Sequence, residues 1–407
     1  MSESTRRQFI KRAATVSAAT LAASPLSRLA GAAPLVTAPG PAPAIVSRRP
    51  SAALNILILG GTGFTGPEQV EYAIARGHRV TLFNRGHTRP GLFKGKVAEE
   101  LIGDLNSDTS ALNGKTFDVV IDNPTTLPLW VKNVATYLKG HVGHYIFIST
   151  TSVYPDESVI GIDEHSPTAP MPAGLDPYRA DVRNDQQKDA STNPDHYGAF
   201  KARAELEVQT QYPDHWTVIR PCLIVGPLDR TDRFTWWPAR IDKGGEVLAP
   251  DKPDDPCQFI DSRDLAEWTV RVAEQKTLGT YNALGPDKPL TIAEMLYGVR
   301  AVTTAGAQFT WVPWEFLQQQ RVRPWRDMTV WQPPYGATAG YQRRSGAKAA
   351  AAGLTFRPVA VTAKDTLDWH KTRPAKEQED ALNGVINGIG IAREKEVLTA
   401  WHAQKGA

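Results

Sequence analysis

The chain has 407 residues, 41% of them hydrophobic, which is enough for one large domain or two ordinary ones. Charged residues make up 22% and the formal net charge is +3, a balance that excludes a disordered chain and a nucleic-acid binder driven by bulk charge. Two cysteines, Cys222 and Cys257, make neither a disulfide framework nor a CxxC metal site; both suit small buried hydrophobes, and a single bridge between them stays open.

Taken in chain order, residues 1–33 read as an address. Arg6-Arg7 precedes Gln8-Phe9-Ile10-Lys11, and a weakly apolar run from Ala13 to Ala33 follows, broken by Arg28. This is similar to a twin-arginine signal with cleavage near Ala32 or Ala33. The resemblance implies a partner in the twin-arginine export machinery, which moves proteins already folded and often cofactor-bound, and a periplasmic or other extracytoplasmic destination. Residues 34–52, rich in Pro and Ala, read as a linker. No later segment reaches the roughly 18 uninterrupted apolar residues of a spanning helix, so no membrane association is expected after cleavage.

Leu54-Asn55-Ile56-Leu57-Ile58-Leu59 predicts a buried parallel strand. Gly60-Gly61-Thr62-Gly63-Phe64-Thr65-Gly66 follows at once, and Glu68 to Gly77 has helical spacing with Val70, Ala73 and Ile74 on one face. Strand, glycine turn and helix are the context a dinucleotide fingerprint requires. Gly60 permits the tight turn, Gly63 lets the main chain approach a pyrophosphate, and Gly66 lets helix and strand pack closely. Thr62 and Phe64 lie between them, where the helix N-terminus faces the phosphates.

The next strand, Val80-Thr81-Leu82-Phe83, ends in Asn84-Arg85, with Arg89 nearby. An acidic residue there would bind a ribose 2′-hydroxyl and repel a 2′-phosphate. Neutral Asn84 and cationic Arg85 lean towards NADP, with NAD as the other candidate. The plain alternative puts Arg85 on the adenine or in solvent. Strand-like runs at 100–103, 117–121 and 144–148, separated by helical stretches such as 129–139, imply a Rossmann-type, doubly wound parallel α/β sheet. Asp104-Leu105 follows the third strand, where Asp104 can accept from the adenine amine. Asn123 follows the fourth, beside the expected cofactor groove.

Ile148-Ser149-Thr150-Thr151-Ser152-Val153-Tyr154 closes the fifth strand, and Tyr197-Gly198-Ala199-Phe200-Lys201 opens a helical run through Glu207. The spacing puts Tyr197 and Lys201 on one helix face. A phenol with a pKa of about 10 is a poor base at neutral pH. An ammonium one turn away favours the phenolate. The same lysine can hold a nicotinamide ribose while a strand-end hydroxyl binds the substrate oxygen and Tyr197 moves the proton.

These residues resemble the extended short-chain dehydrogenase/reductase family, the group of sugar-nucleotide epimerases and dehydratases. The resemblance runs from Leu54 to about Ala283. It includes Ile219-Arg220-Pro221, Val225-Gly226-Pro227 and Phe259-Ile260-Asp261-Ser262-Arg263-Asp264-Leu265. It implies Thr150, Tyr197 and Lys201 as the catalytic set, Thr151 as a substitute or substrate contact, and Pro221 and Cys222 beside the nicotinamide. It also implies homodimers through a helix bundle. An Asp-Glu pair follows the catalytic Thr in the family's dehydratases. Thr151 and Ser152 stand there instead, so dehydration is not expected. The glycine turn through Arg85-Gly86 is also similar to chloroplast stem-loop-binding proteins, an RNA-associated offshoot of the fold.

The dinucleotide-binding domain is expected over 53–227, a smaller mixed α/β substrate lobe over 228–375, and a helical tail over 376–407. Trp236 and Trp237 offer rings for a sugar-like ligand, and Arg233, Arg240 and Arg263 offer charge for an anion; aromatic packing and salt bridges are the plain alternative for all five. The histidines show no HExxH spacing, so no metal is expected. Residues 345–373 look helical, and 392–402 forms an amphipathic helix that docks on the body or on a partner chain. The expected function is NAD(P)-dependent chemistry on a small sugar-like, polyol or carbonyl substrate, redox-neutral with retained cofactor, without nucleic acid as a partner. Net NADPH-dependent carbonyl reduction and a non-catalytic dinucleotide- or RNA-binding role are the alternatives.

Overall fold

The computed structural model describes residues 52–179, 194–286 and 288–406. The segment expected to be a twin-arginine signal, the expected linker to residue 51 and part of the polar stretch before Tyr197 lie outside the described residues. Strands β1 (Asn55–Leu59), β2 (Arg79–Asn84), β3 (Glu99–Ile102), β4 (Phe117–Asp122), β5 (Val142–Ile148), β6 (Trp216–Pro221) and β7 (Gly279–Ala283) form one sheet, in the order β7-β6-β5-β4-β1-β2-β3. Every pairing in it is parallel. This is a Rossmann-type α/β fold. The chain runs out from β1 to β3, then returns to β4 on the other side of β1. That reversal leaves a crevice at the C-terminal ends of β1 and β4, where sheets of this kind take ligands.

Helices cover both faces: α1 (Gly66–Ala75), α2 (Pro128–Leu138), α3 (Pro194–Gln211) and α4 (Ser262–Gln275). The strand period of two divides β1 between them. Ile56 and Ile58 pack with Val70 and Ala73 of α1 and Leu265 and Trp268 of α4. Leu57 and Leu59 pack with Val131 and Val134 of α2 and Val208 and Tyr212 of α3. All these side chains are out of solvent, and burying each large one is worth on the order of 1.5–3 kcal/mol. Asp261 caps α4, its carboxylate accepting from the Arg263 amide.

Beyond β6 a second core gathers Phe234, Trp236, Trp237, Met295, Leu296 and Trp331. It lies beside a parallel strand pair, Gly245–Pro250 with Ala307–Val312. The stretch expected to be helical over 345–373 is two helices, Ala347–Ala351 and Val359–Thr372. Gly353, at φ +88°, takes the left-handed turn that ends the first, and Pro358 opens the second. The last helix, α5 (Ile391–Lys405), puts Val397 and Leu398 into the second core, with Trp401 against Phe316 at 5.0 Å between ring centres. It therefore docks on the body of its own chain. Among the described residues no helix is long and apolar enough to cross a membrane.

Candidate active site

A groove of ≈530 Å³ lies over the ends of β1, β2 and β4. Most of the sequence positions expected to hold a dinucleotide converge there, but Gly66, Lys201 and Pro221 do not line it. Gly60, Thr62, Gly63 and Phe64 come from the turn, Asn84 and Arg85 from the end of β2, Asp104 and Leu105 from the end of β3, and Asn123 from the end of β4. Gly60 has φ +76°, a conformation that favours glycine. Gly66 lies behind the turn instead: a Cβ there would fall 2.6 Å from Gly61 Cα and collide with the Gly60 carbonyl. Asn123 ties β4 to α1, its amide donating to Leu59 O at 3.2 Å and Gln69 Oε1 at 2.7 Å. Asn84 Oδ1 is buried without a hydrogen-bond partner among the described residues. Arg85 is exposed and makes no ion pair among the described residues. Arg89 is committed elsewhere. It donates to Thr62 O at 2.7 Å and to Gly63 O, and so braces the turn from outside.

The catalytic candidates meet at the end of β5. Thr150 caps a short 3-10 turn, Thr151–Val153, its hydroxyl accepting from the Ser152 amide at 3.1 Å. Helix α3 crosses this turn closely, because a Cβ on Gly198 would run into the Ser152 carbonyl. That approach brings the Tyr197 phenol beside Thr150, whose hydroxyl favours the phenolate. Burial pushes the phenol up to about 12, opposed by the Arg233 guanidinium and then by the Thr150 hydroxyl.

Lys201 is placed differently from the sequence expectation. Its ammonium donates to Thr125 O at 2.7 Å and Ile148 O at 2.6 Å, and stands 4.6 Å from the centre of the Phe147 ring. Burial lowers it to about 8, against the carboxylates of Asp122 and Glu205. The Arg233 guanidinium opposes the rise on Tyr197, while the Lys201 ammonium is turned onto two main-chain carbonyls. The reason is local: two strand-end carbonyls lie within the reach of the lysine and capture it.

Helix α3 is fixed to the sheet by a buried network. Glu205 pairs with Arg220 at 2.6 Å and accepts from Ser149 Oγ at 2.5 Å, while Arg220 donates to Tyr154 Oη at 2.8 Å. Glu205 lies two turns beyond Tyr197 on the Tyr197/Lys201 face, so helical spacing alone could have flagged it.

The aromatic and cationic candidates of the lobe separate into two sets. Trp236 and Trp237 are fully buried in the second core, and Trp237 Nε1 donates to Thr329 O at 2.8 Å. They are packing residues and present no face to a ligand. Arg240 is buried against Glu394 and donates to Gly244 O at 2.9 Å. Arg263 joins Asp261 at 2.7 Å and also pairs with Asp365. Both are structural ion pairs, not anion sites. Arg233 alone of the three acts on Tyr197. Thr151 is buried and accepts from Arg344 Nη1 at 3.2 Å. Pro221 ends β6 opposite Ala283. Cys222 and Cys257 are both free thiols, with Cys257 Sγ 3.8 Å from Met295 Sδ. The sequence reading missed Arg344 and Tyr341, which lie far along the chain in a loop without a local signal, yet reach the same strand ends.

Fold and site together define a Rossmann-type protein with a dinucleotide-sized groove and a tyrosine-containing centre beside it. No family model matches the chain. It is 26% identical over 244 residues to the chloroplast stem-loop binding protein of 41 kDa b of Arabidopsis thaliana, a match that takes in 54% of this chain and 56% of that protein. The chain thus spans about half the length of this relative. Among solved structures it is similar to a candidate epimerase from Burkholderia cenocepacia J2315, at 18% identity and a TM-score of 0.55, over 79% of this chain and 98% of that one. It is also similar to the UDP-glucose 4-epimerase of Thermus thermophilus in complex with NAD, at 18% identity and a TM-score of 0.50, over 79% and 100% of the two chains.

Proposed function

We propose that this chain is a nicotinamide-dinucleotide-dependent enzyme of the epimerase or oxidoreductase type, acting on a sugar-like, polyol or carbonyl substrate through Thr150, Tyr197 and Lys201. The observation that carries the reading is the meeting of Thr150 and Tyr197 at the end of β5, in the sheet whose β1–β4 crevice forms the groove. The groove fits an adenine dinucleotide. Its turn has a glycine where the chain bends, and Asn84 offers an orphaned buried acceptor for a ribose hydroxyl. The fold neighbour from Thermus thermophilus binds NAD. Exposed Arg85 at the end of β2 favours a 2′-phosphate, hence NADP over NAD.

When bound, a nicotinamide accepts or returns a hydride at the substrate carbon. The protein's part is proton movement and orientation. With its pKa near 12 the Tyr197 phenol is protonated at neutral pH, so the site is set to donate to a carbonyl oxygen. The reverse step needs the phenolate, which Arg233 and Thr150 favour. Lys201 holds the end of β5 to the loop after β4 through the Ile148 and Thr125 carbonyls, and orders the floor of the site.

Export through a twin-arginine route, to a compartment without a nicotinamide pool, favours chemistry that returns the hydride to its own substrate. Net carbonyl reduction would stop after one turnover there. Native mass spectrometry of the purified protein tests this: a retained NADP supports the reading, and a protein that neither carries nor binds a dinucleotide overturns it. The likeness to a stem-loop binding protein supports a second reading, binding of structured RNA. That role has no use for a competent Tyr197, so a Tyr197→Phe protein that keeps its full function would favour it.

A further inference from the structure

Arg344 is a buried cation with one edge of its donor fork unpaired among the described residues. Its side chain is 3% exposed. Nη1 donates to Thr151 Oγ1 at 3.2 Å and the guanidinium lies 4.6 Å from the centre of the Tyr341 ring, but Nε and Nη2 are buried without a hydrogen-bond partner. The nearest carboxylate, Glu157, stands 3.9 Å from Nη2, beyond hydrogen-bond reach, and is 38% exposed. Other buried arginines of this chain are matched: Arg220 by Glu205, Arg240 by Glu394 and Arg373 by Asp232. A buried charge without such a partner is strongly disfavoured. Among the described residues, Arg344 has no hydrogen-bonded counter-ion.

The position of that gap is informative. Thr151 adjoins Thr150, the partner of Tyr197. Arg344 thus stands over the Tyr341 ring and donates to Thr151, the neighbour of Thr150 in the chain. The unpaired atoms, Nε and Nη2, form one edge of the guanidinium, and their N–H bonds are parallel. That edge matches the two oxygens of a carboxylate.

We infer that the substrate of this site carries a carboxylate, held in bidentate fashion by the Nε–Nη2 edge of Arg344. The inference rests on the dinucleotide-dependent reading for the chemistry done beside it, but binding of the carboxylate can be read without cofactor.

The test is calorimetric titration of the full-length protein with D-glucuronate, D-glucose and D-glucose 6-phosphate as probes. Glucuronate is expected to bind at least 10-fold more tightly than the other two. Arg344→Gln should erase that preference and leave NADP affinity within about twofold. Equal affinities, a preference for the phosphate, or a preference that survives Arg344→Gln would each overturn the inference. If Arg344→Gln does not fold, Glu157→Gln decides. Removing the competing carboxylate should tighten glucuronate at least threefold, and unchanged or weaker binding counts against the site. Wild-type protein that takes no NADP would sink the proposed function alone, since the glucuronate preference is measured separately.

Discussion

The Tyr197 phenol lies beside the Thr150 hydroxyl, while Lys201, one turn along the same helix face, is turned onto main-chain carbonyls. This division sets the electrostatics of the site. The phenol answers to Thr150 and Arg233, and the ammonium answers to Thr125, Ile148 and Asp122. Each group can therefore be perturbed with a distinct readout.

Tyr197→Phe removes the proton carrier and keeps the ring. Turnover of any polyol or carbonyl that the wild type converts should fall by roughly 10²–10⁴-fold. NADP affinity, measured by fluorescence titration, should stay within about twofold, because the groove walls come from β1, β2, β3 and β4. Wild-type turnover in this variant would remove Tyr197 from the chemistry.

Thr150→Ala removes a hydroxyl that favours the phenolate. The sign follows from the contact: a group that lowers the phenol's pKa is lost, so that pKa rises above its value near 12. In the oxidative direction, where the phenolate takes the substrate proton, the pH needed for half-maximal kcat should move upward and kcat at pH 7 should drop by about tenfold. The pH–rate profiles of the two proteins check this, and superimposable limbs would show that Thr150 does not touch the phenol.

Much of this was legible in the sequence because it rests on local patterns. The apolar run at 54–59, the glycine turn and the strand-helix alternation each announce an element within a short window, and the groove follows from their order. Tyr197 and Lys201 were visible as a helical pair. The direction in which Lys201 points was not, because the carbonyls that capture it belong to Thr125 and Ile148, 76 and 53 residues away. Trp236 and Trp237 show the converse limit: a tryptophan pair reads alike as a ligand platform or as core, and only the packing of Leu296, Trp331 and their neighbours around them decides it. Arg344 reaches Thr151 across 193 residues and leaves no mark in its own neighbourhood.

Burial of Lys201 has a consequence for stability. Its amine is lowered from 10.5 to about 8 in the folded chain. Between those values the unfolded chain holds a proton that the folded chain has released, so this group's contribution to stability rises with pH across that window. In Lys201→Met the titration is gone. The unfolding free energy of the wild type minus that of the variant should therefore climb by roughly 3 kcal/mol from pH 8 to pH 10.5, read from denaturant midpoints. A difference that stays flat would mean that the amine is solvated.

Gly198 controls how closely α3 approaches the turn that presents Thr150. A methyl group there meets the Ser152 carbonyl, and the helix main chain must move to relieve it. Gly198→Ala should cost about 1–3 kcal/mol as overpacking, and more if the shift breaks the Ser149–Glu205–Arg220 network. The catalytic effect should exceed the stability effect in kind: kcat falls at least tenfold at temperatures where the variant is fully folded, because Tyr197 is carried away from Thr150, while NADP binds as before. Thermal unfolding and kcat measured on the same preparation separate the two. A variant that is destabilised but catalytically intact would show that the close crossing of α3 serves packing and does not set the reach of Tyr197.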